Sequence, residues 1–471
     1  MKNKKVKIIK IIISIIILIL SLICFKYIKD MNILPNKYLY LFLLILLIIN
    51  LIAIFLSFKK GKITKIISGI LYILIGVISI LGIKYSSATI KYLNKGFNNN
   101  VETTTYNVIV LKNSNYKELK DLNNTKMGYL FNDVDNDKYL DKIKEEIDVE
   151  LKEEDFLTIY TDLINNEISA IIINEAYLDI IEEQYKDFSD NTKILYSLNI
   201  KNKVKTNNDI LKELKPVNIY ISGSDSRSNT ITDSTLSDVN IIVTLNPKTH
   251  TMLLTNIPRD YYVQLHGTTG TKDKLTHAGL YGIEMSKNTL EDLFGIEIDY
   301  SIKLGFQSVV EIVDLVGGIE IYSDTAFNSF HKKGWYVKKG INYMDGEKAL
   351  AYARERYAYS DGDSHRGRNQ QQVIEAIFNK IVADKTILLK YDSLLSKFSK
   401  LYRTDIPKEF VTLLIKQQLE DMSSWTIEKQ SVEGKGTLGQ TYSMPGPNLY
   451  ITIPNQDTIN SAVQKINEVS K

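Results

Sequence analysis

Three stretches of the chain decide its fold: VNIYISGSDSR at residues 217–227, VNIIVTL at 239–245 and TMLLTNIPRD at 251–260. Each contains a run of β-branched and other apolar residues, which is typical of a buried strand. Asp225 follows the first run, Asp238 precedes the second, and Arg259 follows the third. Because functional groups of an α/β sheet collect in the loops just past its strand ends, we predict an α/β domain with a site at one sheet edge.

A second concentration of charge lies further along the chain, in ALAYARER at 349–356 and DGDSHRGRNQQ at 361–371. If this segment is extended, Arg354 and Arg356 share one face, because side chains two residues apart point the same way. Two parallel guanidinium groups suit a diphosphate, since each is a planar fork of donors. The alternative is a pair of surface ion-pair partners. No G-x-x-x-x-G-K-[ST] phosphate cradle occurs in the sequence.

Composition limits the classes of protein that remain. The 471 residues allow roughly three structural units. Hydrophobic residues make up 44% and charged residues 24%, which excludes a disordered chain. A net charge of +3 is far below that of a typical nucleic-acid binder. The single cysteine, Cys24, excludes an internal disulfide framework, and the five histidines form no H-E-x-x-H zinc motif.

The N-terminal part, residues 1–84, is predicted to be a membrane anchor. Three apolar runs, at 8–25, 38–58 and 66–83, are each long enough to cross a bilayer. Lysines crowd the N-terminus and the segment between the second and third runs, and such segments face the cytoplasm. We therefore predict a multi-pass protein of the cell membrane, with the residues after about 84 outside the cell.

After the anchor, residues 101–205 form a small α/β accessory domain by pattern. YNVIVLK at 106–112 predicts a strand, and NDKYLDKIKEEI at 136–147 predicts an amphipathic helix. The order of these segments resembles one lobe of an extracellular solute-binding protein. The alternative is a spacer domain that binds no ligand.

Four ordered blocks resemble the LytR-CpsA-Psr family of the bacterial cell envelope: GSDSR at 223–227, LSD at 236–238, NIPRD at 256–260, and ALAYARER followed by GDSHRGRNQQ. The resemblance covers residues 216–400, and a C-terminal extension, 401–471, is expected to pack on that domain. It implies an α/β/α sandwich with a mixed central sheet. The expected activity is a magnesium-dependent phosphotransferase that moves a glycopolymer from a polyprenyl diphosphate carrier in the membrane to peptidoglycan. The three spans and the accessory domain resemble the capsule-associated branch.

The resemblance also assigns roles to individual residues. Asp225 and Asp238 would hold Mg²⁺ against the diphosphate, and Asp363 would be the base or the residue that orients Arg366. The residues expected to clamp the diphosphate are Arg259, Arg354, Arg356, Arg366 and Gln370. Two positions depart from the family pattern, because Leu236 and Asn369 stand where many members have arginine.

Residue chemistry supports the same assignment, since phosphoryl transfer depends on positioning and on neutralising negative charge. A carrier lipid would also need an apolar cavity. Residues spaced like one helix face are expected to line that cavity, to pack on the sheet, or both: Phe306, Val309, Val310, Val313 and Val316. Two other functions stay open at this point, an envelope receptor or sensor with a weak catalytic site, and a regulator of the transcriptional attenuator type.

Overall fold

The computed structural model describes residues 2–97, 101–130, 136–203, 213–224, 234–384 and 402–471. Its helices, in chain order, are α1 (Lys2–Met31), α2 (Asn36–Phe58), α3 (Lys62–Phe97), α4 (Asn136–Glu146), α5 (Ile159–Ile164), α6 (Leu178–Gln184), α7 (Phe188–Asn191), α8 (Leu275–Ala278), α9 (Ile283–Phe294), α10 (Phe306–Leu315), α11 (Gly346–Arg354), α12 (Asp363–Ala383), α13 (Lys408–Asp421) and α14 (Gln456–Val469). Short 3₁₀ turns lie at Leu119–Leu122, Glu175–Tyr177 and Gly279–Tyr281.

The strands belong to an accessory sheet, a central sheet and four two-stranded ribbons. In chain order they are β1 (Val101–Leu111), β2 (Thr125–Leu130), β3 (Val149–Glu154), β4 (Ala170–Asn174), β5 (Thr192–Lys203), β6 (Val217–Ser224), β7 (Val239–Asn246), β8 (Thr251–Asn256), β9 (Tyr262–Val263), β10 (Asp273–Lys274), β11 (Tyr300–Gly305), β12 (Ile319–Ser323), β13 (Phe327–Asn328), β14 (Tyr336–Val337), β15 (Gly340–Met344), β16 (Tyr402–Thr404), β17 (Thr426–Ser431), β18 (Gly434–Gly439) and β19 (Leu449–Pro454).

The three N-terminal helices are long and apolar enough to cross a membrane. The predicted spans at 8–25, 38–58 and 66–83 each lie within one of α1, α2 and α3, and α3 continues well beyond its predicted span. Polar groups join the helices: Asn50 donates to Ser21 Oγ at 3.1 Å, and Ser68 donates to the Ala53 carbonyl at 2.8 Å. Such contacts satisfy polar groups that lipid cannot.

The accessory domain is a five-stranded sheet in the order β3-β2-β4-β1-β5. β2 runs parallel to β3 and β4, whereas β1 is antiparallel to β4 and β5. The strand predicted at 106–112 falls on β1, and the helix predicted at 136–147 falls on α4. Its likeness to a solute-binding lobe stays a prediction.

The central sheet has six strands in the order β16-β11-β6-β7-β8-β17. β6 is parallel to β11 and β8 is parallel to β17, while the β6–β7, β7–β8 and β11–β16 pairs are antiparallel. The predicted mixed sheet is therefore confirmed. Its two edge strands, β16 and β17, come from the segment that is expected to be a C-terminal extension, 401–471.

Helices cover both faces of the central sheet, as the predicted α/β/α sandwich requires. On one face Tyr220, Ile242 and Leu253 pack with residues of α9 and α14. On the other face Ile221 and Leu254 pack with residues of α12 and α13. Adjacent strand residues alternate between these two clusters, as the two-residue period of a strand dictates.

Both of the other regions pack against this sandwich. Leu280 and Met444 share a buried apolar cluster with Ile109 and Phe156 of the accessory domain. The turn between α1 and α2 packs on α13 through a cluster that contains Met31, Ile33, Leu93, Ile415 and Leu419. The division into separate domains at the predicted boundaries stays a prediction.

Candidate functional site

The predicted site lies at one edge of the central sheet because three neighbouring strands alternate in direction. The antiparallel registers pair Gly223 with Val239 and Ile241 with Asn256, so the end of β6, the start of β7 and the end of β8 lie at one edge. Asp238 and Arg259, which are distant in sequence, meet there with Arg259 Nη1 2.6 Å from Asp238 Oδ1. Asp225, the other predicted metal ligand, lies outside the described residues.

Arg259 is the most extensively paired cation at this edge. Besides Asp238, its Nε lies 3.6 Å from Asp260 Oδ2, and Lys274 Nζ lies 2.6 Å from Asp260 Oδ1. Burial lowers the pKa of the Arg259 guanidinium, but the charges of Asp238 and Asp260 outweigh it and raise that pKa. Arg259 is therefore a fixed positive charge.

Arg354 and Arg356 do face one space, although the reason differs from the predicted extended segment. Arg354 is the last residue of α11, and Glu355 after it is extended, with φ −67° and ψ 125°. The two guanidinium groups, one on each side of this helix end, belong to the same cavity lining. The Arg354 guanidinium lies over the Phe306 ring at 4.7 Å, and that of Arg356 lies over Tyr357 at 4.8 Å.

The N-terminal turns of α12 supply Asp363, Arg366 and Gln370. Arg366 Nη2 lies 2.7 Å from Asp363 Oδ1, a contact between residues three apart on one helix. Burial lowers the pKa of Arg366, and the Asp363 carboxylate opposes that effect. Arg366 and Gln370 line the cavity, one helical turn apart. Asp363 touches Arg366 at the start of the helix, which is the geometry of an orienting residue.

A glycine allows this helix to approach the sheet edge. A Cβ placed on Gly367 would collide with the Asn256 side chain at the end of β8. A larger residue would have to displace the Asn256 side chain or move α12, which carries Arg366 and Gln370, away from the sheet edge.

Together these side chains surround a cavity with about 510 Å³ of empty space, part of it open to solvent. Its lining is Asp238, Arg259, Phe306, His331, Arg354, Arg356, Arg366 and Gln370. Four arginines thus face one aspartate, which leaves a strongly positive lining suited to an anion with several oxygens.

His331 is a cavity residue that sequence reasoning missed. Burial, and next the Arg354 charge, lower the pKa of its imidazole, so the ring is neutral near pH 7. Among the described residues its Nε2 is buried and has no hydrogen-bond partner. A lone histidine in the sequence FHKKGW gave no signal, because the loop that carries it reaches the site only in the folded chain.

An apolar cavity continues from the charged one, because Phe306, Arg354 and Gln370 line both. The remaining lining comes from the sheet, from α10 to α12 and from the residue before α10: Ile221, Gly223, Val239, Leu304, Gly305, Val309, Leu350, Ala353, Val373 and Ile374. The apolar face of α10 divides between two roles. Phe306 and Val309 line the cavity, whereas Val313 and Val316 belong to a buried core cluster.

Neither departure from the family pattern removes a cation from the observed cavity lining. Leu236 packs against the apolar cluster shared with the accessory domain. Asn369 is only 1% exposed and donates to the Tyr352 carbonyl at 3.1 Å, which satisfies an acceptor near the end of α11. The neighbouring Gln371 donates to the carbonyls of Leu254 and Gln430 at 2.9 and 2.7 Å, so it ties α12 to the sheet.

Comparison with known proteins identifies the family. The sequence profile of the LytR-CpsA-Psr family matches residues 181–461, more than half of the chain. The chain belongs to this family, and the predicted membership is confirmed.

Two curated relatives are named polyisoprenyl-teichoic acid–peptidoglycan teichoic acid transferase TagU. The protein of Bacillus mycoides (strain KBAB4) is 32% identical over 200 residues, which cover 42% of this chain and 63% of the relative. That of Bacillus licheniformis is 37% identical over 166 residues, which cover 35% of this chain and 52% of the relative. The chain thus spans less than two thirds of the length of these relatives.

The comparison with solved structures matches two proteins from Bacillus subtilis. The crystal structure of TagV matches 54% of this chain and 97% of its own, with 29% identity and a TM-score of 0.46. That of TagU matches 55% of this chain and 98% of its own, with 27% identity and a TM-score of 0.42.

Proposed function

We propose that this protein is a membrane-anchored phosphotransferase that moves a glycopolymer from a polyprenyl diphosphate carrier to peptidoglycan outside the cell. The observation that carries the proposal is one cavity in which four arginines converge and which adjoins an apolar cavity, with Phe306, Arg354 and Gln370 lining both. A polyprenyl diphosphate has the same two parts, a doubly charged head and a hydrocarbon tail. The names of the curated relatives, which describe transfer from a polyisoprenyl carrier to peptidoglycan, support the assignment.

In this proposal the arginines neutralise the charge that spreads over the phosphate oxygens during transfer. An acceptor hydroxyl forms a new bond to the phosphorus attached to the glycan, and the bridging P–O bond of the diphosphate breaks. Polyprenyl phosphate leaves, and the hydroxyl proton passes to a base. Preorganised cations are effective here because phosphoryl transfer requires little covalent chemistry from the protein.

Asp363 has two candidate roles, and its contact with Arg366 favours one of them. The 2.7 Å ion pair supports Asp363 as the residue that orients Arg366 against the diphosphate. Its side chain is also 37% exposed, so it remains accessible to an acceptor hydroxyl. Gln370, on the same helix, would hydrogen-bond an oxygen of the same group.

We also propose that Asp225 and Asp238 hold Mg²⁺ against the diphosphate. Asp238 fits this role because its carboxylate faces the cavity among the arginines. Mg²⁺ is usually bound through one or two carboxylates together with phosphate oxygens and water, and Asp225 and Asp238 would supply the two carboxylates. The cation would neutralise charge on the phosphates.

The placement of residues after about 84 outside the cell rests on two independent observations. The first is the excess of lysines before α1 and between α2 and α3, which marks the cytoplasmic side. The second is that the start of α2 contacts α13, since Lys37 Nζ donates to the Glu420 carbonyl at 2.7 Å and Lys416 Nζ to Asn36 Oδ1 at 3.2 Å. The sandwich then lies on the side opposite the lysine-rich ends.

Transfer by the full-length protein in detergent tests the activity. The assay supplies a glycan on polyprenyl diphosphate, labelled in the sugar, together with purified peptidoglycan and Mg²⁺. We expect label on the peptidoglycan and release of polyprenyl phosphate, both abolished by EDTA and restored by Mg²⁺. Binding of the carrier lipid without release of polyprenyl phosphate would instead favour a receptor. If the protein neither bound the carrier lipid nor transferred the label, the proposal would be overturned.

Protease protection tests the topology. In wall-stripped cells, added protease should remove a tag placed after Lys471 and leave a tag at Lys2 intact. A protected C-terminal tag would overturn the extracellular placement.

A further inference from the structure

Two exposed aromatic rings stand beside the arginine-lined cavity. Phe330 is 67% exposed and Tyr357 is 57% exposed, although both are large apolar residues. Their ring centroids are 4.3 Å apart, and the ring planes are inclined by 47°. With His331, whose ring centroid lies 5.3 Å from that of Phe330, they form what we call the aromatic corner (Phe330, His331 and Tyr357).

A buried carboxylate fixes the geometry of the aromatic corner. Glu355 is 0% exposed, and each of its two oxygens accepts a backbone hydrogen bond. Its Oε2 accepts from the Phe330 N–H at 2.9 Å, and its Oε1 accepts from the Tyr357 N–H at 3.0 Å. A buried carboxylate is tolerated only when it is hydrogen-bonded, so these bonds hold two separate segments together. The backbone at the two residues that carry the exposed rings is therefore held in place by the fold.

The aromatic corner is continuous with the cavity proposed for the diphosphate. His331 and Arg356 belong to the cavity lining, while their neighbours Phe330 and Tyr357 carry the exposed rings. Arg356 also donates to Tyr357 Oη at 2.8 Å. The two exposed rings are therefore neighbours of the space proposed for the diphosphate and of a group attached to it.

We propose that the aromatic corner binds the sugar rings of the glycan that is attached to the diphosphate. This inference rests on the proposed function and adds a recognition site for the donor sugar. One face of a pyranose ring presents C–H groups that pack on an aromatic face, while its hydroxyls remain at the edge in water. Exposed, preorganised aromatic rings next to a phosphate site suit such a ligand, because they offer contact area at little cost in conformational entropy.

Paired ligands separate sugar recognition from diphosphate recognition. The two probes are farnesyl diphosphate, which has no sugar, and farnesyl diphosphate that carries a disaccharide on its terminal phosphate. Binding of each to the full-length protein in detergent is measured by calorimetry. The unsubstituted protein should bind the sugar-bearing probe more tightly, and the ratio of the two dissociation constants is the quantity compared among variants.

Removing either ring should reduce that ratio. We expect Phe330→Ala and Tyr357→Ala to weaken binding of the sugar-bearing probe about fivefold to tenfold, and Phe330→Ala to leave binding of farnesyl diphosphate nearly unchanged. Phe330→Tyr and Tyr357→Phe should retain the preference for the sugar-bearing probe, because they keep the aromatic rings. Tyr322→Ala and Tyr336→Ala are matched controls, since these tyrosines are 60% and 58% exposed and lie on strands outside the aromatic corner.

Glu355 is a positioning residue in this proposal, and it has its own test. Glu355→Gln keeps one carbonyl acceptor for the two backbone N–H groups, so it should lose only part of the sugar preference, while Glu355→Ala should lose all of it. Circular dichroism and binding of farnesyl diphosphate confirm that each variant is folded.

The outcomes distinguish this inference from the proposed function. An unchanged ratio in Phe330→Ala and Tyr357→Ala, or an equal loss for both probes, would overturn the sugar site and leave the diphosphate site intact. A loss confined to the rate with added peptidoglycan would assign the rings to the acceptor and would also overturn the donor-sugar proposal. Failure of the unsubstituted protein to bind either probe would count against the proposed function itself.

Discussion

The accessory sheet and the central sheet are both mixed sheets flanked by helices, yet their charged clusters differ in balance. In the accessory domain Lys152 Nζ lies 2.8 Å from both Glu154 Oε1 and Asp162 Oδ2, and hydrogen bonds to these two acids raise the pKa of the lysine. At the edge of the central sheet, four arginines share a cavity with Asp238. The first cluster neutralises its own cation, whereas the second has cations in excess.

This difference shows which of the two sheets has a reason to bind an anion. A lysine between two carboxylates already has its counter-charges. Arg259 and Arg366 also pair with Asp260 and Asp363, but these two carboxylates are not part of the cavity lining. Within the lining, four arginines face one aspartate, and the repulsion among them falls when an anion enters. Such an excess of cations in a cavity lining is typical of an anion-binding site.

The largest effect is expected from the two proposed metal ligands. Asp225→Asn and Asp238→Asn should each reduce magnesium-dependent transfer by about 10³-fold, because a neutral amide does not balance the charge of Mg²⁺. The amide keeps an oxygen that accepts hydrogen bonds, so the substitution changes mainly the charge. Transfer rates are measured over a series of Mg²⁺ concentrations. Asp162→Asn and Glu154→Gln, the acids of the accessory cluster, are the matched controls and should leave the rate unchanged.

Equal losses of transfer rate in the variants of both clusters would show that the two sheets do not differ in their role in transfer. Full activity in the Asp225 or Asp238 variant, or transfer that does not depend on the metal, would contradict the metal role.

A smaller but still large loss is expected when planar cations are replaced by point charges. Arg354→Lys and Arg356→Lys keep the charge excess of the cavity but lose the fork of donors, so transfer should fall by about 10²-fold. Initial rates at saturating donor measure this effect. Arg368→Lys is the control, because Arg368 is exposed and pairs with Asp361.

If both cavity variants kept nearly the parental rate, the excess positive charge alone would be sufficient for transfer. Arg354 and Arg356 would then be surface cations rather than diphosphate clamps.

The next effect concerns the apolar cavity beneath the charged one. Val309→Phe should fill part of the space between α10 and the sheet and raise the KM for a long-chain donor about tenfold, since roughly 25 cal/mol is lost per Å² of tail that stays in water. A short-chain donor should be affected less. Gln307→Phe, on the exposed side of the same helix, is the control. Equal KM changes for long and short chains would show that the tail does not enter this cavity.

The smallest effect on transfer, and a clear one on stability, is expected at the contact between the two domains. Leu280 is fully buried in the apolar cluster that joins them, so Leu280→Ala should lower the free energy of unfolding by about 2–5 kcal/mol. Denaturant unfolding followed in both domains should give one shared transition. Leu438→Ala, at a 67% exposed position, should change stability by less than about 0.5 kcal/mol. Two separate transitions would show that the sheets fold independently.

Local patterns explain how much of the fold was predictable. The strands β6, β7 and β8, the three apolar helices and α4 were all visible as runs or periodicities, because each depends on neighbouring residues. The site was predictable as a set, since Asp238, Arg259, Arg354, Arg356, Arg366 and Gln370 stand in motifs typical of the family, and the structure brings these six into one cavity lining.

The sequence by itself determined which chemical groups are available: membrane-spanning apolar runs, arginines concentrated at 354–368 and beside a strand end at Arg259, and the family blocks. Only the tertiary structure decided how they are arranged. In the folded chain α11 ends at Arg354, and His331 joins the cavity lining. Asn369 is buried with a hydrogen bond to the Tyr352 carbonyl of α11, and Glu355 accepts hydrogen bonds from the backbone of Phe330 and Tyr357. The physical reason is that these contacts join residues from separate segments, and a local pattern carries no information about which distant segment will lie beside it.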